Sequence, residues 1–306
     1  MSIGSPCHIP VLFLIHRRLG PATRVMEALK LAQPEVLLIA ADGPSGDEKC
    51  EQVRERVVNS IDWPCRVETR FLDDQQGCRR AVSSALDWAF GLHEQLIILE
   101  DDCVPHPSFF AFCAAMLDRF KDQPEVMQIC GCNLTGMRPA QESYFFSRFG
   151  PIWGWASWRR AWQEYDVEMK AWSVLRNSAQ LGQLCPEPFE AGWRREVLDE
   201  VYRGEVDTWD YQWAFAKLRC GGLNIVPAVN LVSNIGFGPD ATHTRNSADP
   251  RADMATQELS APWHHADRIM AWQSADRAYL TQTVGLPDRV WSLKGMRRCL
   301  RTLFQR

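Results

Sequence analysis

About a third of the way along, the chain reads Leu96-Ile97-Ile98-Leu99-Glu100-Asp101-Asp102, so that four branched apolar residues run directly into three acids. A short apolar run of this kind is typical of a strand that is buried on both faces of a parallel sheet. The carboxyl ends of parallel strands meet at one edge of the sheet, where ligands bind. The three carboxylates are therefore predicted to face a ligand at that edge.

On either side of this segment, apolar runs and amphipathic segments alternate along the first 130 residues. The predicted strands are residues 9–15, 36–41, 66–71, 96–99 and 125–130, and the predicted helices are residues 21–31, 47–60, 79–92 and 107–120. Strands that alternate with helices of this length indicate βαβ units. The sequence therefore predicts the α/β class, with a mostly parallel, Rossmann-like sheet flanked by helices.

Polar residues follow four of these predicted strands at the same edge of the sheet. They are His16-Arg17-Arg18 after the first strand, Asp42-Gly43 after the second, Asp73-Asp74 and then Gly77-Cys78-Arg79-Arg80 after the third, and the acidic triplet after the fourth. One or two polar strand ends are explained by the chain reaching solvent. Four in succession indicate a binding site.

The acidic triplet predicts a divalent cation site. Three adjacent carboxylates repel one another and persist best when a cation offsets the repulsion. Oxygen ligands select Mg²⁺ or Mn²⁺ over zinc, and such an ion typically uses one or two carboxylates together with phosphate oxygens. The alternative is an acidic loop that caps the helix beginning near Pro107, although a cap needs one acid rather than three.

Composition and missing motifs exclude several classes of protein. The chain has no G-x-x-x-x-G-K-[ST] motif and no G-x-G-x-x-G after the first strand, which argues against P-loop NTPases and dinucleotide oxidoreductases. A net charge of -4, from 34 basic and 38 acidic residues, argues against a general nucleic-acid binder. A nucleotide held by a cation and carboxylates is compatible with all of these observations.

Taken together, the strand ending in Asp42-Gly43, the Gly77-Cys78-Arg79 segment and the strand running into Glu100-Asp101-Asp102 resemble the GT-A glycosyltransferases. More narrowly, they resemble the branch that contains N-acetylglucosaminyltransferase I and bacterial sugar transferases of similar pattern. The resemblance covers about residues 9–135. It implies a GT-A fold and a nucleotide-diphosphate sugar as donor substrate.

The resemblance also implies roles for individual residues in the first half of the chain. Asp102 would contact Mn²⁺ or Mg²⁺, and Glu100 and Asp101 would lie near the ribose and the sugar. Asp42 with Gly43 would contact the base, and His16 and Arg17 would border the nucleotide. Arg79 or Arg80 would lie near the base or the diphosphate.

A candidate catalytic base lies in the second half, where the chain reads Asp207-Thr208-Trp209-Asp210-Tyr211. The related branch has a Trp-Asp-Asp-Trp segment at a similar point, and its acid is the catalytic base. Asp210 is the first choice by this resemblance, and Asp207 is the second because Tyr211 stands where the branch has another Asp. Alternatively, Asp207 or Thr208 caps the helix predicted to run to residue 218.

Further along, Gly236-Phe237-Gly238 precedes His243. Two glycines flanking one residue suggest a mobile or tight loop. In the related branch a loop at this point closes over the diphosphate, and a histidine contacts metal or phosphate; His243 would take that role and Arg245 would be a second diphosphate contact. The alternative for His243 is a plain surface residue.

Tryptophan is concentrated in the second half. Eleven of the 13 tryptophans follow residue 150, and four of them fall in residues 153–162. Indole packs well on the apolar faces of sugar rings, so the bias suggests an acceptor side. Trp158 and Trp162 would share a face if this segment is helical, and a tryptophan-rich helix packed on the sheet is the alternative.

The chain is expected to divide into a nucleotide-sugar half (residues 1–135), an acceptor half of the same domain (residues 136–262) and a helical extension (residues 263–306). Residues 291–306 have the pattern of a basic amphipathic helix, either lying on an anionic membrane surface or docked on the domain. Eleven cysteines without metal-site spacing, and an apolar run of only five residues near the N-terminus, predict a cytoplasmic location.

The resulting expectation is a metal-dependent, inverting glycosyltransferase that uses a nucleotide-diphosphate sugar and a hydroxyl acceptor on a glycan, a lipid-linked saccharide or a protein. No nucleic acid partner is expected. Three alternatives stay open: a non-catalytic sugar-binding protein of the same fold, a sugar-phosphate nucleotidyltransferase and a metal-dependent hydrolase. A nucleotidyltransferase would normally have a glycine-rich loop after the first strand. A metal-dependent hydrolase would normally have more histidines at ligand spacing.

Overall fold

The computed structural model describes residues 7–44, 46, 48–238, 246 and 248–288. Its strands are β1 Val11–Ile15, β2 Val36–Ala41, β3 Arg66–Phe71, β4 Gln95–Glu100, β5 Cys103–Pro105, β6 Val126–Cys130, β7 Tyr144–Ser147, β8 Trp155–Trp158, β9 Leu223–Pro227 and β10 Val232–Asn234. Its helices are α1 Leu19–Ala32, α2 Lys49–Asn59, α3 Gly77–Leu92, α4 Ser108–Arg119, α5 Arg159–Trp162, α6 Trp172–Leu175, α7 Ala179–Leu184, α8 Glu190–Tyr202, α9 Asp210–Cys220 and α10 Gln273–Ala278, followed by a π-helix, Tyr279–Val284.

Eight strands form one sheet in the order β3-β2-β1-β4-β8-β6-β9-β7, and β10 pairs with β5 in a separate two-stranded ribbon. Six strands of the large sheet run in the same direction, whereas β8 and β7 run against their neighbours. The predicted α/β class, with a mostly parallel sheet flanked by helices, is confirmed. Strands from both halves of the chain share this sheet.

The two faces of β1 explain how the sheet is covered. Val11, Phe13 and Ile15 pack into one apolar cluster with residues of α1 and α4. Leu12 and Leu14 point to the other face and pack with residues of α3, α5 and α9. Because side chains alternate along a strand, a run of five buried apolar residues requires helices on both sides.

The β5–β10 ribbon carries a glycine loop over the end of β4. Asn234 pairs with Cys103, and the Ile235 amide donates a hydrogen bond of 2.9 Å to the Asp102 carbonyl oxygen. Gly236 follows directly, and a Cβ atom at this position would lie 1.9 Å from Asp102 Oδ2. Only glycine allows the loop to approach the carboxylate this closely.

The tryptophan-rich segment is not a single helix. Trp158 ends β8, whereas Trp162 ends α5. Most tryptophans after residue 150 belong to the core: Trp155, Trp158, Trp162, Trp172, Trp209 and Trp213 are all buried. Trp155 stacks on Trp209 with ring centroids 5.7 Å apart. Packing therefore accounts for most of the tryptophan bias, whereas Trp153 and Trp193 are only half-buried.

None of the helices in the described part of the chain is both long and apolar enough to cross a membrane. Residues 289–306, which include the predicted basic amphipathic helix, lie outside the described residues.

Candidate functional site

The ends of β1, β2 and β4 line a cavity of about 430 Å³, called the strand-end cavity below. Its lining includes residues 14–18 at the end of β1, residues 40–42 at the end of β2, and Glu100 and Asp101 at the end of β4. β1 has β2 on one side and β4 on the other, so the order of the strands reverses at this point. Open α/β sheets bind ligands at such a switch point, outside the carboxyl ends of the strands.

Two acids of the triplet, Asp101 and Asp102, are held by one arginine. Arg18 Nη2 is hydrogen-bonded to Asp101 Oδ1 and, at 2.7 Å, to Asp102 Oδ2. Both aspartates are buried, with 4% and 7% of their surface exposed. Burial alone would lower the pKa of Arg18, but the charges of the two aspartates outweigh it and raise the pKa. Arg18 is therefore a fixed cation at the edge of the cavity.

The pKa values of the acids reflect burial opposed by this cation. Burial raises the pKa of Asp101 to about 6, with a further contribution from Asp102, while Arg18 acts in the opposite direction. Burial also raises the pKa of Glu100 well above its usual range, and the charges of Asp102, Asp101 and Asp210 add to this effect. Within the described part of the chain, buried Glu100 Oε1 has no hydrogen-bond partner. Glu100 itself lines the strand-end cavity, and a carboxyl group with an unsatisfied oxygen is suited to a ligand hydroxyl.

Asp42 organises the second strand end. Its carboxylate accepts hydrogen bonds from the amides of Gly43 (2.8 Å), Gln76 (2.7 Å) and Gly77 (3.0 Å). A Cβ atom at Gly43 would lie 2.0 Å from the Asp74 carbonyl carbon, so the turn requires glycine there. Asp42 lines the cavity, whereas Gly43 is buried beside it.

Asp207 caps α3, not the helix that follows it in sequence. Its two oxygens accept hydrogen bonds from the amides of Cys78 (2.9 Å) and Arg79 (3.0 Å). Together, Asp42 and Asp207 therefore occupy the four amides of residues 76–79 around the start of α3. Backbone amides at a helix N-terminus commonly bind phosphate, but two carboxylates already fill this position.

The structure does not bring Arg79 and Arg80 into the strand-end cavity. The Arg79 guanidinium donates a hydrogen bond to the Val201 carbonyl oxygen at the end of α8. Exposed Arg80 forms an ion pair of 3.2 Å with Glu168. Both side chains lie in the first turn of α3 and point away from the cavity toward the second half of the chain. The cavity instead receives Arg70 and Arg18.

Asp210, the preferred candidate base, lies at the start of α9. It is half-buried, and its Oδ1 accepts a hydrogen bond from the Thr208 hydroxyl. It lines a second cavity, of about 380 Å³, formed by α8, α9, the chain between β7 and β8, and the π-helix; this is called the α9 cavity below. The charge of Asp210 contributes to the raised pKa of Glu100, and Asp207, three residues before Asp210, lines the strand-end cavity.

His16 and Arg17 line the strand-end cavity, as does Arg18. Arg17 is exposed and also lines a neighbouring cavity beneath the glycine loop. His243 and Arg245 lie outside the described residues. Arg18 was not singled out from the sequence, although it belongs to the same polar strand end as His16 and Arg17; only the contact with Asp101 and Asp102, more than 80 residues away, distinguishes it.

A divalent cation would fit the acidic triplet under one condition. Asp101 and Asp102 supply hard oxygen ligands, but the guanidinium of Arg18 already contacts both. Within the described ranges, no three His, Cys, Asp or Glu side chains are grouped as a metal centre. A cation would therefore have to replace Arg18 at Asp102, with ligand oxygens completing its coordination.

A scan against models of protein families and a search of curated protein sequences found no match to this chain. Among solved structures, HddC from Yersinia pseudotuberculosis is similar over 51% of this chain and 80% of its own, with 11% identity and a TM-score of 0.34. Mouse xyloside xylosyltransferase 1 is similar over 70% and 82%, with 12% identity and a TM-score of 0.32. A UDP-glucose pyrophosphorylase complexed with UDP-glucose is similar over 72% and 90%, with 10% identity and a TM-score of 0.36. At these values the similarities support no conclusion about activity.

Proposed function

We propose that the protein is a glycosyltransferase of GT-A type that transfers a sugar from a nucleotide-diphosphate donor to a hydroxyl acceptor. One observation carries the proposal: an acidic triplet with a buried, unpartnered Glu100 oxygen and a fixed Arg18 cation stands at the switch point of a mostly parallel sheet. Hydroxyl-binding and phosphate-binding groups thus lie side by side. The sequence resemblance to the N-acetylglucosaminyltransferase I branch supports the same assignment.

In this proposal the strand-end cavity binds the donor. Glu100 lines this cavity, and its carboxyl group would hydrogen-bond the hydroxyls of the ribose or the sugar. Asp42 lies on the base side, and Arg17 and Arg18 face the diphosphate, which complements their charge. Asp102 would hold Mn²⁺ or Mg²⁺ once the diphosphate draws Arg18 away. The bound ion would offset negative charge on the leaving diphosphate.

Asp210 is the proposed general base. It is half-buried and lines the α9 cavity, and its Oδ2 accepts no hydrogen bond from the described residues. The acceptor oxygen attacks the anomeric carbon while its proton passes to Asp210. The bond between that carbon and the phosphate oxygen breaks, and its electron pair leaves with the nucleoside diphosphate. Direct attack of this kind inverts the anomeric configuration.

The acceptor is a saccharide or a glycolipid in this proposal. The protein would act in the cytoplasm, with peripheral contact to the inner membrane face through residues 291–306, where the sequence alternates basic and apolar residues at helical spacing. Loss of liposome binding after deletion of residues 291–306 is expected, and absence of binding by the intact chain would contradict the membrane contact.

The test is a thermal-shift screen of nucleotide sugars and free nucleoside diphosphates, each with and without Mn²⁺. We expect one nucleotide to raise the melting temperature, and more strongly with Mn²⁺, because a ligand that binds only the folded state stabilises it. The matching nucleotide sugar is then assayed for transfer. Formation of a nucleoside triphosphate from the nucleotide sugar and pyrophosphate would instead identify a nucleotidyltransferase. A lack of stabilisation by every nucleotide would contradict the proposal.

A further inference from the structure

The linings of the α9 cavity and the strand-end cavity come close together in sequence at the start of α9. Asp207 lines the strand-end cavity, and Asp210, the first residue of α9, lines the α9 cavity. A molecule in the α9 cavity would therefore lie next to the group proposed as the base. Its volume of about 380 Å³ falls within the range of roughly 300–1,000 Å³ that is usual for small-molecule sites.

Aromatic side chains form much of the wall of the α9 cavity. They are Phe149, Trp153, Trp193, Tyr211 and Tyr279. Tyr279 stacks on Phe149 with ring centroids 4.9 Å apart and an interplanar angle of 13°, which fixes both rings. Trp193 is half-buried on α8 and lines the cavity, and the Arg194 guanidinium lies 5.4 Å from the centroid of its ring. Rigid aromatic faces next to polar groups suit a ring that is apolar on its faces and hydroxylated at its rim.

Charges in the α9 cavity are balanced. Arg148 forms ion pairs of 2.8 Å with Glu190 and 2.9 Å with Asp276. Arg194 pairs with the same Glu190 at 3.0 Å, so two cations face two carboxylates.

The remaining cations of the cavity are also offset. Arg251 pairs with Asp249 at 2.5 Å. The Lys217 ammonium is held by Gln128 Oε1 at 2.6 Å and Asn224 Oδ1 at 2.7 Å, and burial lowers its pKa to about 7. Each arginine that lines the cavity is thus already paired with a carboxylate, and the carboxylate of Asp210 would repel an anion. An acidic ligand is disfavoured.

We propose that the α9 cavity is the acceptor site and that it binds an uncharged sugar ring, packed on Trp193 and with a hydroxyl directed at Asp210. The inference rests on the proposed transferase function, because that function supplies the need for an acceptor. It adds the location of the acceptor and its chemical class.

The test is saturation-transfer NMR on the full-length protein, with methyl pyranosides of glucose, galactose, mannose and N-acetylglucosamine as neutral probes. Methyl glucuronoside and glucose 6-phosphate are the charged probes. We expect saturation of at least one neutral probe and at least fivefold weaker signals from both charged ones. No signal from any neutral probe, or equal signals from charged probes, would overturn the inference.

Variants locate the binding. Trp193→Ala should weaken the neutral signal at least fivefold, Trp193→Phe should restore most of it, and Ala214→Leu should weaken it by filling the cavity from α9. Tyr202→Ala is the matched control, because Tyr202 is an exposed aromatic on the same helix outside the cavity, and it should bind like the wild type. Unchanged binding in both Trp193→Ala and Ala214→Leu would overturn the location.

The outcome is separable from that of the proposed function. Nucleotide-induced stabilisation of Trp193→Ala should equal that of the wild type, because Trp193 does not line the strand-end cavity. If nucleotides stabilise the protein but no neutral sugar binds, the acceptor inference fails and the donor site stands. If no nucleotide stabilises the protein, the proposed function fails whatever the sugars do.

Discussion

Arg18 is the residue on which the charge of the strand-end cavity depends most. A single guanidinium contacts two buried carboxylates, Asp101 and Asp102. Its charge also partly opposes the rise in the pKa of Glu100. In the proposed mechanism, the guanidinium of Arg18 neutralises the two aspartates until a divalent cation replaces it. Arg18 thus links the stability of the free protein to the site at which the ligand and the metal are proposed to bind.

Replacing Arg18 should therefore destabilise the fold in a pH-dependent way. Arg18→Gln leaves two buried carboxylates without their cation, and we expect a loss of roughly 3 kcal/mol at pH 7.5. The pKa of Asp101 is already raised in the folded state and rises further without Arg18. The folded form therefore gains stability as pH falls below that pKa, and the loss should be smaller at pH 5.

Urea unfolding at the two pH values measures this effect. Arg17→Gln is the control, because Arg17 is exposed, and a change within about 0.5 kcal/mol is expected. Arg18→Gln should also bind Mn²⁺ at least tenfold more tightly than the wild type, as measured from the electron paramagnetic resonance signal of free Mn²⁺. Equal stability and equal Mn²⁺ affinity in the two proteins would contradict the role of Arg18.

Asp207 precedes α9 and Asp210 begins it, and the two residues should respond differently to substitution. Asp207→Ala removes two hydrogen bonds to the start of α3 and should lower the free energy of unfolding by about 1 kcal/mol. Asp210→Asn should leave stability within about 0.5 kcal/mol and lower kcat by roughly 10²–10⁴-fold, the usual contribution of a general base. Thermal unfolding and transfer rates measure the two effects. A larger loss of kcat in Asp207→Ala would reassign the base.

At the scale of the elements, local pattern predicts most of the first half. The predicted strands 36–41 and 66–71 have the same bounds as β2 and β3, because each is bounded by clear turn residues. β5 was not predicted, since three residues with no repeat of their own form a strand only by pairing with β10, more than 120 residues away. The insertion of β8 between β4 and β6 has the same origin in long-range pairing.

Helix α9 joins the candidate base to a buried lysine. Lys217 lies two turns after Asp210, and burial lowers its pKa to about 7 in the folded state, below the ordinary value of 10.5. A lysine with a depressed folded pKa stabilises the fold above its unfolded pKa, and this stability is lost as pH falls through the folded pKa. The free energy of unfolding should therefore rise with pH between 7 and 9.

Lys217→Met isolates this effect, because methionine fills a similar volume without titrating. Between pH 7 and pH 9 the wild type should gain about 2 kcal/mol relative to the variant. Chemical unfolding at several pH values measures the difference, and the other titrating groups are common to both proteins. If the free energies of unfolding of the two proteins change in parallel with pH, Lys217 has an ordinary pKa. It would then be a charged cation in the wall of the α9 cavity at pH 7.

At the scale of the whole molecule, two cavities have lining residues close together at the start of α9, Asp207 in one and Asp210 in the other. The acidic triplet and Asp42 were predicted to lie at one edge of the sheet, because the ends of strands are local features of the sequence. Asp42, Glu100 and Asp101 line the strand-end cavity, and Asp102 contacts Arg18, which also lines it. The second cavity was not predicted. Its lining comes from several separate segments between residues 134 and 284, and no local pattern brings these segments together.

The central claim is that the strand-end cavity holds a nucleoside diphosphate. Its most direct test is a crystal structure of the protein soaked with the nucleoside diphosphate that gives the largest thermal shift, in the presence of Mn²⁺. We predict density for the diphosphate beside Arg18 and Asp102, with the ribose near Glu100 and the base toward Asp42. Density for the nucleotide elsewhere, with the strand-end cavity filled only by water at saturating ligand, would contradict the account.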